Sequence, residues 1–156
     1  MDPVPSPVEA EIATNIVLRE AVPEDAQQVA ELLTELGYPA DASEAAKRLE
    51  RATEAVFVAA EGPGLLGLVA IWRQLPISHS RPTARVTAMV VRSGARQRGI
   101  GRMLLERAVS WARRAGCEGV ELTSGIRPER HDAHRFYESL GFQKTSYRFW
   151  LPLKPS

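Results

Sequence analysis

Cysteine is nearly absent from this 156-residue chain: Cys117 stands alone, so no internal disulfide can form. A reducing compartment suits such a chain. Net charge is nearly absent as well. Twenty Lys and Arg against 19 Asp and Glu leave +1, which argues against a broadly basic nucleic-acid binder. No apolar run approaches the ~20 residues that span a bilayer. The first residues lack the basic stretch and apolar run of a signal peptide. We therefore expect a soluble cytoplasmic protein, with no nucleic-acid or membrane partner. No set of His, Cys, Asp and Glu has metal-ligand spacing, so no metal is expected. Cys117 itself reads as a small buried hydrophobe.

What is present is a run of alternating strand and helix signals. Residues 1–14 carry Pro3, Pro5 and Pro7 without periodicity and read as a flexible tail, leaving one domain over 15–156. Ile16–Glu20 is a first strand. Pro23-Glu24-Asp25 opens a helix whose inner face is Ala26, Val29, Ala30, Leu33 and Leu36, ended by Gly37. Asp41-Ala42-Ser43-Glu44 resembles a capping box for a second helix to about Ala52. Residues 55–60 and 65–74 form a hairpin around Gly62-Pro63-Gly64, with Gly67 marking a bulge or a close approach. After a polar loop, 84–91 is the next strand, followed by a helix stopped by Gly116. Val120 to Thr123 must run parallel to 84–91, because a helix joins them. A short helix then presents Ala133, Phe136, Tyr137 and Leu140, and closing strands take in Phe142 and 146–153. The class is α/β with a mixed sheet.

The informative stretch is 90–102, Val-Val-Arg-Ser-Gly-Ala-Arg-Gln-Arg-Gly-Ile-Gly-Arg. A strand runs into a glycine- and arginine-rich turn that opens a helix, and four arginines surround the glycines without one acid. Unpaired N–H groups and the positive dipole end make a helix start a phosphate site. The spacing Gly94-x-x-x-x-Gly99 suggests a nucleoside-triphosphate loop. That reading fails, since Ile100-Gly101 stand where Lys and Ser/Thr are needed. A dinucleotide fold would need its glycine motif early in the chain, and none occurs there. The low net charge favours a small anion over a polyanion.

Two motifs carry a family resemblance. Arg96-Gln97-Arg98-Gly99-Ile100-Gly101 resembles the Arg/Gln-x-x-Gly-x-Gly/Ala signature of the GNAT superfamily of acetyl-CoA-dependent N-acetyltransferases. Residues 133–142, Ala-His-Arg-Phe-Tyr-Glu-Ser-Leu-Gly-Phe, resemble the family's second motif, and the element order from Ile16 to Leu153 is the family's order. The resemblance implies a mixed, mostly antiparallel sheet with a splayed parallel strand pair and helices on both faces. It implies that Gln97, Arg98, Gly99, Ile100, Gly101 and Arg102, with Arg96 at the turn's start, hold the pyrophosphate of acetyl-CoA. Met89, Val90 and Val91 would bond the pantetheine arm, beside a bulge in the strand. Tyr137 would protonate the leaving thiolate; read without the family it is only a core aromatic.

The residues themselves allow this chemistry. An amine attacking a thioester needs alignment, stabilisation of the oxyanion, a proton for the thiolate and a base. A tyrosine, with pKa near ~10, can donate to a thiolate at neutral pH. Two departures stand out. Where part of the family has a glutamate base the chain has Arg85, and the second motif's frequent asparagine is Arg130. No carboxylate lies on 84–91, which leaves His79, Glu121 or a water chain as base. His131 and His134 read as cap or surface residues. Trp111 and Trp150 read as packing, as does Trp72 unless it faces the acceptor. The acceptor, a small-molecule amine in this reading, would meet Tyr38, the 75–83 loop and the C-terminal strands. An acceptor on a protein and a non-catalytic acyl-CoA sensor are the alternatives. Dimers are common in the family, and Phe149, Trp150, Leu151 and Leu153 offer an apolar strand for a homodimer.

Overall fold

The computed structural model describes residues 15–155; the proposed tail, 1–14, lies outside them. Two compact units follow one another along the chain, the first ending at Glu121 and the second starting at Leu122.

In the first unit five strands form one sheet in the order β1-β2-β3-β4-β5: Ile16–Glu20, Ala55–Glu61, Gly64–Gln74, Thr83–Val91 and Val120–Glu121. The first four are antiparallel neighbours, and β4 and β5 run parallel. The sheet is thus mixed and mostly antiparallel, as the resemblance implied. Three helices belong to this unit: α1 (Ala26–Leu36), α2 (Ala42–Arg51) and α3 (Ile100–Arg114).

Strand alternation assigns the helices to opposite faces. Val58, Ala60, Leu65, Leu68 and Val90 point to one side and cluster with Val29, Ala30, Leu32 and Ala45 of α1 and α2. Phe57, Ala59, Val69 and Ile71 are buried on the other side, where α3 brings Ile100, Leu104, Leu105 and Ala108. Leu32 has no exposed surface although the helical spacing left it off the predicted inner face.

Local chemistry explains the element ends. Pro23–Asp25 is a 3-10 turn, and the α-helix begins only at Ala26. Asp25 holds that turn back: it is buried, accepts the Val22 N–H at 2.8 Å, and takes both guanidinium nitrogens of Arg19 at 2.7 and 2.9 Å. Asp41 caps α2 by accepting the Glu44 N–H at 2.8 Å, half of the box that the sequence suggested. Gly37 ends α1 at φ 107°, a conformation that costs other residues about 1–2 kcal/mol. Gly67 lies beside a bulge and makes a close approach as well. Leu66 is the extra residue between the pairs Ala59–Gly67 and Ala60–Leu65. A Cβ on Gly67 would stand 2.7 Å from the Val90 carbonyl oxygen and 3.0 Å from Leu104.

The second unit holds a 3-10 turn, Pro128–Arg130, and helix α4, His131–Ser139, with Gly141 at φ 95° just beyond it. Two expectations are corrected here. The strand foreseen at 120–123 stops at Glu121, and no strand follows among the described residues up to 155. The aromatic and apolar residues of 146–153 favour extended backbone, whereas a strand needs a ladder partner. With none, Tyr147, Phe149, Trp150, Leu151 and Leu153 remain exposed. Cys117 is half-buried, and its thiol is free.

Candidate active site

The turn between β4 and α3 is built from backbone. Arg92 continues the β4 ladder, its N–H donating to the Leu66 oxygen at 2.7 Å and its Nε to the Leu65 oxygen at 3.0 Å. A 3-10 turn, Ser93–Ala95, reverses the chain and buries Ala95. Gln97 then adopts φ 65° and Gly99 φ 77°. A glutamine with positive φ is uncommon and costs energy that the surroundings must supply. Left-handed residues interspersed in a turn gather successive N–H groups into an anion-binding concavity. Gly99 is the N-cap of α3 and offers no side-chain cap. The first bond of that helix is donated by Met103 N–H to the Gly99 oxygen at 3.1 Å. The N–H groups of Ile100, Gly101 and Arg102 therefore open α3 uncapped, at the positive end of its dipole.

The arginines of the turn are not idle cations. Arg92 pairs with Glu31 at 3.1 Å, Arg96 with Glu35 at 3.6 Å and Arg102 with Glu106 at 2.9 Å, and Arg98 clasps Glu61. That last contact holds the Glu61 carboxyl below its ordinary range. Glu35 also accepts the Ser93 N–H at 2.7 Å. Sequence reasoning saw four arginines without an acid, because the acids come from α1, β2 and the next turn of α3. Their signal in the sequence is the i,i+4 spacing of Glu31 and Glu35, one helical stripe.

The strand leading into the turn is irregular. Ile71 pairs with Val86 and Ala70 with Ala88, which leaves Thr87 as an extra residue, a bulge in β4. On its other edge β4 pairs with β5 only through Ala84 and Arg85. From Val86 to Val91 that edge has no strand partner among the described residues. Met89, Val90 and Val91 thus lie on an open edge that ends in the backbone turn. The stretch from Thr87 to Val91 measures roughly 13 Å at ~3.3 Å per residue. The splay that the resemblance implied is this loss of pairing.

On the α1 side of the sheet, below the bulge, lies a polar surface. Arg85 and Glu121 pair at 2.9 Å, and Gln74 Nε2 donates to Glu121 at 3.1 Å. Trp72, opposite Arg85, is partly exposed. Thr87 Oγ1 donates to Glu54 Oε2 at 2.8 Å. His79, half-exposed in the β3–β4 loop, stands 3.6 Å from Glu118 and shares a 2.7 Å hydrogen bond with Ser78. A cleft of about 340 Å³ beside it is lined by His79, Thr83, Glu118, Gly119, Val120 and Glu121. Of the base candidates, Glu121 is tied to a guanidinium and His79 sits with Glu118. Glu54 escaped sequence reasoning, which searched β4, the loop before it and β5.

In the second unit Tyr137 is half-buried between Phe136 and Phe142, with ring centroids 5.5 and 6.0 Å away. Its hydroxyl has no hydrogen-bond partner among the described residues. Burial raises its pKa above the ordinary 10.0, partly opposed by the positive charge of Arg130. The Tyr137 carbonyl accepts the N–H groups of Leu140 and Phe142, both at 3.1 Å, and so sets the turn of the second motif. His134 bonds the Gly125 oxygen at 2.7 Å. Among the described residues no group of His, Cys, Asp and Glu could hold a metal ion.

Known proteins resemble this chain in sequence and fold. A profile of the Acetyltransferase (GNAT) family matches residues 22–142. The chain is 31% identical over 137 residues to an aminoalkylphosphonate N-acetyltransferase of Salmonella typhimurium, covering 85% of this chain and 88% of that one. It is 32% identical over 153 residues to an aminoglycoside N(6')-acetyltransferase type 1 of Stenotrophomonas maltophilia, covering 93% and 99%. Among solved structures, an acetyltransferase of Trypanosoma brucei superposes with TM-score 0.77 at 25% identity, over 88% of this chain and 99% of that one. On the turn, the bulged and splayed strand, the second motif and these relatives, the chain belongs to the GNAT acetyltransferase family and is an N-acetyltransferase.

Proposed function

We propose that the protein transfers an acetyl group from acetyl-CoA to the primary amine of a small molecule, by direct attack within a ternary complex. One observation carries the reading: the open β4 edge, residues 86–91, leads through the 92–99 turn into the uncapped start of α3. The unpaired edge presents N–H and C=O groups to an extended arm bearing amides, as a strand would. The helix start receives a pyrophosphate. Coenzyme A joins such an arm to such an anion.

In this reading Met89, Val90 and Val91 bond the arm. Backbone N–H groups of Gln97, Arg98, Gly99, Ile100, Gly101 and Arg102 hold the pyrophosphate, with Arg96 at the mouth of the turn. The Arg–Glu pairs give the arginines fixed positions, from which a phosphate competes for them with the carboxylates. The thioester lies at the bulge in this reading, where a backbone N–H would meet the developing oxyanion. Tyr137 supplies the proton that the departing thiolate takes. Its raised pKa supports that role, because the phenol keeps its proton through the neutral range. A small-molecule acceptor is favoured by the two relatives named for aminoalkylphosphonate and aminoglycoside acetylation.

The test is a panel of amines with acetyl-CoA, reading thiol release and the acetylated product. Turnover of aminoalkyl or amino-sugar compounds supports the proposal. Turnover of protein amino groups alone would shift the acceptor class, and coenzyme binding without any turnover would leave a sensor module.

A further inference from the structure

We propose that Glu54 accepts the amine's proton during acetyl transfer, held at the reacting end of the coenzyme track by the bulge residue Thr87. The inference rests on the reading of the β4 edge as the seat of the pantetheine arm. It supplies the group that β4 lacks, since that strand carries no carboxylate or histidine.

The bulge makes the placement. Thr87 is the residue set out of register between Val86 and Ala88, so its side chain is free of the strand's alternation. Its hydroxyl donates to Glu54 Oε2 at 2.8 Å and lies 3.4 Å from the Ala70 oxygen. Glu54 comes from the segment between α2 and β2. It precedes Val56, the partner of Ala70, by two positions, so alternation carries it to the α1 face with Trp72 and Arg85. Glu54 is half-buried there.

Arg85 and Glu121 hold each other at 2.9 Å, and Gln74 gives Glu121 a second donor. A carboxylate held by a guanidinium and an amide is already occupied. Glu54 has no ion pair among the described residues and is bound by a neutral hydroxyl through one oxygen. Its other oxygen is left for an amine. Trp72, partly exposed nearby in the sheet, offers a ring face to the cationic form of that amine.

The step balances without a further reagent. The nitrogen lone pair forms the C–N bond to the acetyl carbonyl carbon, and a proton on that nitrogen passes to Glu54. The C–S bond breaks, its electron pair goes to sulfur, and the thiolate takes the Tyr137 proton. Solvent returns both residues to their starting states.

The experiment uses the full chain, acetyl-CoA and the best amine from the panel. Glu54→Gln keeps an oxygen for the Thr87 hydroxyl and removes the base. We expect kcat to fall at least roughly a hundredfold, with coenzyme A affinity and Tm unchanged. The acid-side limb of the kcat–pH profile should also disappear. Glu54→Ala should regain turnover as formate is added, and the Gln variant should not. A kcat within threefold of the parent, or an unchanged acid limb, overturns the assignment. So does a Glu54→Ala variant that loses stability and coenzyme affinity and ignores formate, for then the carboxylate only pins the bulge. If the parent chain binds coenzyme A and acetylates no amine, the acetyl-transfer reading falls first and takes this one with it.

Discussion

Asp25 shows how one side chain can set the path of the backbone. Its carboxylate joins the end of β1 to the start of α1 by accepting from Arg19 and from Val22 N–H. The Arg19 bond holds the Asp25 carboxyl below its ordinary 3.8, and the Val22 N–H adds to that shift against the opposing effect of burial. A depressed carboxyl stabilises the fold above its unfolded value, and this contribution fades as pH falls through the folded value. Asp25→Asn should therefore cost about 1–2 kcal/mol at pH 7, discounted for the partial exposure of Arg19. The difference from the parent should shrink below pH 3.8, which urea titrations across pH would follow. Tyr137 belongs to the same scale. Tyr137→Phe should lower kcat at least roughly tenfold and leave coenzyme A affinity within twofold, read by thiol release and calorimetry. The shift also places any alkaline limb due to this phenol above its ordinary 10.0.

Among the elements, the coenzyme track depends on β4 lying where Gly67 lets it lie. Gly67→Ala would press a methyl against the Val90 carbonyl and Leu104. Overpacking of this kind costs about 1–3 kcal/mol. The displaced β4 end should weaken coenzyme A binding along with Tm, which separates this change from a surface substitution. The turn offers a sharper contrast. Gln97→Gly relieves a positive φ and keeps the backbone donor, so coenzyme affinity should hold within threefold. Gly99→Val forces a branched side chain into φ 77° and should lose affinity at least tenfold in the same titration.

Which of these elements could be read in advance follows from the physics. Helices α1 to α4 carry 3.6-residue periodicity and glycine stops at 37, 116 and 141, so they were legible locally. The Asp41 cap and the β4–turn–α3 unit were legible for the same reason. Thr87 as the bulge was not, because register is a relation between two strands. The carboxylates facing the arginines were not, because Glu31, Glu35 and Glu61 reach the turn only through tertiary packing. Residues 146–153 misled, since aromatic and apolar strand formers do not by themselves supply a pairing partner.

For the whole molecule, the near-zero net charge becomes intelligible through its distribution. The basic turn is matched, arginine by arginine, with acids. The field there is local, and the anion it suits is small. Among the described residues no helix is long and apolar enough to cross a membrane. Coenzyme A at a hundred times its Kd should stabilise the fold by about 2.7 kcal/mol. In a melting curve that is a rise in Tm of roughly 5–10 °C. The measurement closest to the central claim is simultaneous detection of free thiol and N-acetylated product when acetyl-CoA meets aminoalkylphosphonates and amino sugars. Direct transfer to the amine predicts equal molar amounts of both, saturable in the amine. Thiol release that ignores the amine, or no release with any small amine while coenzyme A binds, would contradict it.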